Sequence, residues 1–253
     1  MGSDVLRGGI SFTSGASDGS KYAVTTNTGD KPVNFVSRFD AERVANWLQN
    51  GLGSGSTETG AYTLTSGTSG TAPAVNSGAT FYVPTENQWY KAAFYKGGGT
   101  SAGYWDYSTG SDTAPTAVSA DETGVGSAGS TGNFANFSNG AVWNDLTGNV
   151  TTVGTNGGPS PYYTFDMSGN VSEWNDLTGA AGSSRGRRGG GWNANSLNVS
   201  SSGSSTIDPS SEFTVLGFRL ARPVAVPEPS TYSMALAGLA CGGCSMVCRR
   251  KRS

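Results

Sequence analysis

Apolar positions along the chain fall into two helix-like runs and many short fragments. Ala41, Val44, Ala45 and Leu48 recur at the spacing of one helix face. Ser37-x-x-Asp40 ahead of them has the form of a capping box, in which a hydroxyl and a carboxylate satisfy free amides of the first turn. Gly51 follows where a left-handed closing residue belongs. A second helix is predicted from Thr85, with Gln88 completing its box, Trp89, Ala92 and Ala93 on one face, and Gly97 ending it. Between the helices, residues 51–80 are rich in Gly, Ser and Thr and read as a surface insertion with a short strand at 62–64. Beyond residue 97 the apolar and aromatic pieces are short and separated by Gly, Asn, Asp and Ser, the pattern of brief strands between ordered loops. No solenoid or propeller period is present. The predicted class is α+β with low regular content.

The C-terminus breaks this pattern. Val-Pro-Glu-Pro-Ser-Thr from Val226 leads into an uncharged stretch at 232–248, which is followed by Arg249, Arg250, Lys251 and Arg252. The stretch is near the lower length limit for a bilayer-spanning helix, and the basic cluster belongs on the cytoplasmic side. Residues 1–223 are therefore expected to form the folded body, and 224–253 a tail with a transmembrane helix at 232–248 that stops transfer. The first residues, Met1-Gly-Ser-Asp-Val-Leu-Arg, contain no apolar core of a signal peptide. A start further upstream is the expectation.

Composition narrows the chemistry. Only 13% of residues are charged and 39 are Gly, yet ten Phe, ten Tyr and six Trp provide core material. There is no His, which excludes Ser-His-Asp and Cys-His catalysis and every His-based metal site. The three Cys are Cys241, Cys244 and Cys248, so the body has neither a disulfide nor a thiol nucleophile. Within the tail, Cys241-x-x-Cys244 has the spacing of a redox or zinc pair but no second pair, and reads as small apolar filling of the helix. Residues 1–223 hold twelve basic and seventeen acidic side chains, a net of −5 without a basic stripe. Nucleic acid is not an expected partner.

Pro227-Glu228-Pro229, the helix and the basic end together resemble a PEP-CTERM sorting signal. That resemblance implies a bacterial cell-envelope protein, anchored by its C-terminus until an exosortase, a membrane-embedded cysteine transpeptidase, cuts near the motif and leaves the body at the cell surface or outside. The body resembles the formylglycine-generating enzyme (sulfatase-modifying factor) family. The matching segments run in order: Pro32-Val-Asn-Phe-Val-Ser-Arg-Phe-Asp-Ala41, Asn46-Trp-Leu48, Val83-Pro-Thr-Glu-Asn-Gln-Trp89, Ala135-Asn136, Thr164-Phe-Asp-Met-Ser-Gly-Asn-Val-Ser-Glu-Trp174, Arg188-Gly-Gly-Gly-Trp192 and Gly217-Phe-Arg219. They cover roughly residues 32 to 222. The resemblance implies a compact loop-rich fold related to C-type lectin-like domains, with a shortened N-terminal strand region.

Active members of the family use two thiolates on copper, as soft ligands do. Counting forward from Arg188 places that pair at Ala194 and Val199; counting back from Gly217-Phe-Arg219 places it at Gly191 and Ser196. None of the four is a thiol, so copper is not expected and no catalytic residue is assigned. The related iron-dependent sulfoxide synthases need a His cluster that this chain lacks. Calcium is the cofactor the resemblance supports, through side chains of Asp166 and Glu173 and carbonyls of Gly169 and Val171, a hard-oxygen set suited to that ion. The alternative is an Asx turn feeding a strand. A second set maps to Asn136, the Phe137 carbonyl, Asp145 and the Thr147 carbonyl, across a loop shorter than the family's.

Three functions follow as expectations. The first is an exported, catalytically inactive surface or matrix module, binding extracellular polysaccharide or a surface protein through variable loops. The second is a formylglycine-generating oxidase acting on a Cys of a sulfatase-type substrate, which the missing thiols oppose. The third is a carboxylate-pair hydrolase, for which no spacing marks a pair.

Overall fold

Both helices form on the caps the sequence encodes. In a computed structural model describing residues 7–65, 67–99 and 101–223, helix α1 spans Arg38–Gln49 and α2 spans Glu86–Phe94. Ser37 Oγ accepts the Asp40 amide at 3.2 Å while Asp40 Oδ2 accepts the Ser37 amide at 3.0 Å. Thr85 and Gln88 repeat the exchange at 3.3 and 2.9 Å. Helix α2 stops before Gly97 because Tyr95 turns extended and bridges to Tyr104.

The face that α1 buries differs from the predicted one. Ala41 and Ala45 are buried, but Val44 is 36% exposed, and Arg38, Glu42 and Asn46 point inward at i, i+4, i+8. Apolar spacing missed this face because half of it is polar and satisfied internally. Asn46 Nδ2 donates to the Thr57 carbonyl at 2.8 Å and its Oδ1 accepts the Tyr62 amide at 2.7 Å. These bonds fasten the Gly/Ser/Thr-rich segment to the helix, so 51–80 is not a surface insertion throughout: Ala61, Tyr62, Leu64 and Ala72 are buried. Position 62–64 is not a strand; Thr63 makes only an isolated bridge with Thr59.

The strands are short, as the fragmented pattern implied. β1 (Ile10–Phe12) and β2 (Tyr22–Val24) form a hairpin, β3 (Thr116–Ala117) pairs with β4 (Phe134–Ala135), and β5 (Val142–Trp143) with β6 (Leu146–Thr147). The central sheet contains β7 (Ser172–Asn175), β8 (Arg185–Arg188), β9 (Ser204–Ile207) and β10 (Leu216–Gly217) in the order β10-β7-β8-β9. β10 lies parallel to β7, and the other pairs are antiparallel. Every residue of β7 is buried. Alternation along it sends Glu173 and Trp174 to opposite faces, where Trp174 packs with Ala41, Val83 and Leu216 and donates its indole N–H to the Val36 carbonyl at 3.0 Å. The rest of the core is divided into small clusters such as Trp89, Ala93, Phe94 and Met167.

Contacts gather the described residues as far as Ala221 into one unit. Among the described residues no helix is long and apolar enough to cross a membrane. The span predicted at 232–248, the Pro227-Glu228-Pro229 motif and Arg249, Arg250, Lys251 and Arg252 lie outside the described residues.

Candidate functional site

The segment before β7 brings Asp166, Val171 and Glu173 of the first calcium set to one cavity, with Gly169 in the coil between them. Asp166, Gly169 and Asn170 all have positive φ, so the chain coils tightly into the strand. Gly169 is required there: its φ is +89°, and a Cβ would sit 2.3 Å from the Asn136 carbonyl oxygen. Asp166, Val171 and Glu173 line a cavity of about 310 Å³ together with Phe165, Asn170 and Arg219. Asp166 accepts the Gly154 amide at 2.8 Å and Asn156 Nδ2 at 2.9 Å, both neutral donors. Burial pushes its carboxyl above the usual carboxylate range, and those two hydrogen bonds pull it only partly back. Glu173 is held differently: Arg219 donates to both its oxygens, and Trp89 Nε1 donates to Oε2 at 2.7 Å.

The donor set fits a hard cation at the Asp166 end. Outside the strand ladders, no hydrogen bond among the described residues ends on the carbonyl oxygen of Gly169 or Val171. The two carbonyls are thus open to act as oxygen ligands, while each Asp166 oxygen already accepts one hydrogen bond, from Gly154 or Asn156, and would offer a cation its remaining lone pair. Glu173 is already neutralised by Arg219, which makes it the weaker donor.

The second predicted set is not assembled in this way. Asn136 is fully buried, and its Nδ2 donates to the Asn149 carbonyl at 2.8 Å, Thr151 Oγ1 at 3.0 Å and Asn170 Oδ1 at 3.2 Å. Phe137 packs in an apolar cluster with Tyr107, Ala135 and Val199. Asp145 and Thr147 are exposed on the β5–β6 hairpin, whose turn residues Asn144 and Asp145 have φ of 56° and 57°. A two-residue turn with both φ positive is the twist-matched hairpin connection; it leaves Asp145 and Thr147 exposed, whereas Asn136 is fully buried with its Oδ1 lacking a hydrogen-bond partner among the described residues. The partners Asn136 does have, Asn149, Thr151 and Asn170, were not picked out from sequence, because they lie 13, 15 and 34 residues away along the chain.

The loop counted for the family's thiols is apolar on one side and polar on the other. Val199 is buried and Ala194 half-buried against the Phe137 cluster. A Cβ on Gly191 would lie 2.6 Å from the Val215 Cβ, so a cysteine does not fit there without displacing β10's approach. Ser196 is half-buried in the following turn. The polar side opens into a cavity of about 380 Å³ whose lining includes Arg187, Arg188, Asn193, Asn195, Asn198 and Ser205. No carboxylate and no thiol line it.

One charged cluster went unpredicted. Arg38 contacts Glu42 at 2.9 Å and Asp176 at 3.3 Å, and Arg185 contacts Asp176 at 3.3 Å, with all four side chains at most 2% exposed. Arg185 also donates to the Ala72 and Pro73 carbonyls at 2.8 and 3.1 Å. The Tyr62 phenolic oxygen accepts from Arg38 at 3.3 Å and from the Val83 amide at 3.0 Å, and burial pushes this phenol up to about 12. Burial raises both Glu42 and Asp176, opposed by the two guanidiniums. The cluster joins α1, the 51–80 segment, the end of β7 and β8. Its chemistry is cohesive, because every charge faces its opposite. The i, i+4 pair Arg38/Glu42 was the only sequence signal for it.

Solved structures to which this chain is similar include Treponema denticola variable protein 1 (21% identity, covering 79% of this chain and 74% of that one, TM-score 0.47). CarF matches at 22% identity, 78% and 69% coverage and TM-score 0.49. PvdO from Pseudomonas aeruginosa matches at 16% identity, 85% and 73% coverage and TM-score 0.43. No curated protein matches the sequence. The loop-rich body has the fold class of formylglycine-generating-enzyme-like domains. The Sulfatase-modifying factor enzyme 1-like domain matches residues 11–224, and the chain belongs to that family.

Proposed function

We propose that this family member is catalytically silent and serves as an exported binding module of the cell surface or matrix. The observation that carries this reading is the loop at 191–199. Both placements of the copper-binding pair fall on side chains without soft donors, and Gly191 is packed too closely for one. What the loop offers instead is a polar cavity of amides, hydroxyls and guanidinium, groups that bind ligands and do not oxidise them. Export and surface release belong to the same proposal and rest on the Pro227-Glu228-Pro229 tail, with an exosortase as the processing partner.

Calcium enters as a structural ion, held by Asp166 and the Gly169 and Val171 carbonyls, with Glu173 as a further ligand. When bound it would supply the charge that desolvated Asp166 lacks and tie the coil before β7 to the sheet. The test of the functional reading is direct. The purified full chain, loaded with copper, is given a Cys-containing sulfatase peptide and probed by aldehyde-specific labelling. No aldehyde is expected, and measurable turnover would return the chain to the oxidases.

A further inference from the structure

The polar cavity does not end at its own rim. Arg188, one of its walls, has its guanidinium carbon 4.9 Å from the centre of the Tyr90 ring. From there the rings continue: Tyr90 to Tyr104 at 4.9 Å, Tyr104 to Tyr95 at 5.7 Å, and Tyr95 to Tyr162 at 6.1 Å. Tyr104 and Tyr162 are each 46% exposed. The rings are tilted against one another by 33° to 61°, so they form a staggered ladder and not one flat plate. Lys91 lies over Tyr95 at 5.5 Å.

Arg187 and Arg188 play different parts in the cavity. Arg188 is held by Glu86 and by the Ser201 and Gly203 carbonyls at 2.9 and 3.0 Å, which makes it a fixed wall. Arg187 is anchored only through Nε, to Ser205 Oγ at 2.7 Å, and has no acidic partner among the described residues. Its two terminal nitrogens therefore present a planar fork of donors, the geometry that reads a carboxylate with paired bonds. On a body of net charge −5, a guanidinium that no acid neutralises stands out.

Resting on the binding-module reading above, we infer that the cavity and the tyrosine ladder form one track for an acidic polysaccharide. A uronate carboxylate sits on the Arg187 fork, its ring hydroxyls exchange hydrogen bonds with Asn193, Asn195 and Asn198, and neighbouring sugars lie along the tyrosines. Three features favour this ligand. Amides both donate and accept, as a hydroxyl does, so a wall of Asn matches a polyol better than a lipid or an apolar peptide. The cavity volume is within the range of about 300–1,000 Å³ for small-ligand sites, yet its lining lacks the apolar centre of a protein interface. Tyrosine offers a rigid ring with a negative face to the C–H groups of a sugar, at small cost in rotamer freedom.

Calorimetric titration of the full chain in mild detergent tests the track with four probes: oligogalacturonate, its methyl ester, monomeric galacturonate and polyglutamate. The acid oligomer is expected to bind about tenfold or more tightly than the ester, the scale of a charge-assisted pair. Arg187→Gln should lose the same factor and cease to distinguish acid from ester. Tyr104→Ala should weaken the oligomer and leave the monomer unchanged. Equal binding of acid and ester by the wild-type chain, or no saccharide binding at all, overturns the inference without any variant needing to fold. Polyglutamate binding as well as oligogalacturonate also overturns it, since the site would then read charge on any chain, a protein included. Ester binding equal to acid leaves the binding module standing and removes only the acidic sugar. Aldehyde formation in the copper assay removes the silent reading alone, because these titrations do not depend on it.

Discussion

Substituting Arg38 by Met tests whether the buried charge cluster holds the helix and sheet together. Met keeps most of the side-chain volume and removes the cation, leaving Glu42 and Asp176 with Arg185 alone. The lost contacts are the Glu42 pair at 2.9 Å and the Asp176 pair at 3.3 Å, both out of solvent. A unit pair near 4 Å gains about 4 kcal/mol at the effective dielectric typical of proteins, against a desolvation cost that remains after the mutation. Breaking one side of such a cluster costs about 3–5 kcal/mol. For a body of this size that corresponds to a fall in Tm of roughly 10 °C. Adding Glu42→Gln removes the stranded charge, so R38M/E42Q should recover about 1–3 kcal/mol relative to R38M. Both carboxyls already titrate above their usual range in the folded state because of burial. Losing Arg38 raises them further, so the folded state binds protons that the unfolded chain does not, and the R38M deficit should shrink as pH falls from neutral towards the raised values. Urea melts followed by far-UV circular dichroism measure all three quantities. A loss below about 1 kcal/mol for R38M, or no recovery in the double variant, would refute the reasoning.

Calcium should stabilise the wild-type chain by about 2.7 kcal/mol when free ion is roughly a hundredfold above its dissociation constant, raising its Tm, and excess chelator should lower the Tm again; indifference to chelator would leave Asp166 as a turn residue. Asp166→Asn should abolish that response. Because burial raises the Asp166 carboxyl, its charged form opposes folding above the ordinary carboxylate range, so in chelator the variant should be at least as stable as wild type at neutral pH and less stabilised by acid. Gly169→Ala must place a Cβ 2.3 Å from the Asn136 oxygen at a φ of +89°, and a loss of about 3 kcal/mol or more is expected from thermal melts; a near-wild-type variant would show that the coil before β7 yields easily. Mass spectrometry of the exported protein should find the mature chain ending near Pro227, and an intact C-terminal Arg-Lys-Arg-Ser would sink the sorting proposal.

Local rules determined much about this protein before any coordinates. The two capping boxes, Ser37/Asp40 and Thr85/Gln88, depend only on residues within one turn, and both formed as written. The fragmented pattern after residue 97 translated into strands of a few residues, and the ordered motifs from Pro32 to Arg219 were sufficient for the family. The absence of His, and of Cys before Cys241, limits the chemistry whatever the fold. Only the tertiary structure decided which side of α1 faces inward. Arg38, Glu42 and Asn46 are polar, and nothing in their own helix reveals that Asp176, Arg185 and the Thr57 carbonyl wait opposite them. The same holds for residues 51–80, whose Gly and Ser content reads as surface until Tyr62 and Leu64 are seen filling the core. Arg219 on Glu173 and the tyrosine ladder beside Arg188 are likewise contacts between distant segments. Sequence records which groups are available over a turn or two of chain; burial and charge pairing across long separations choose which of them meet.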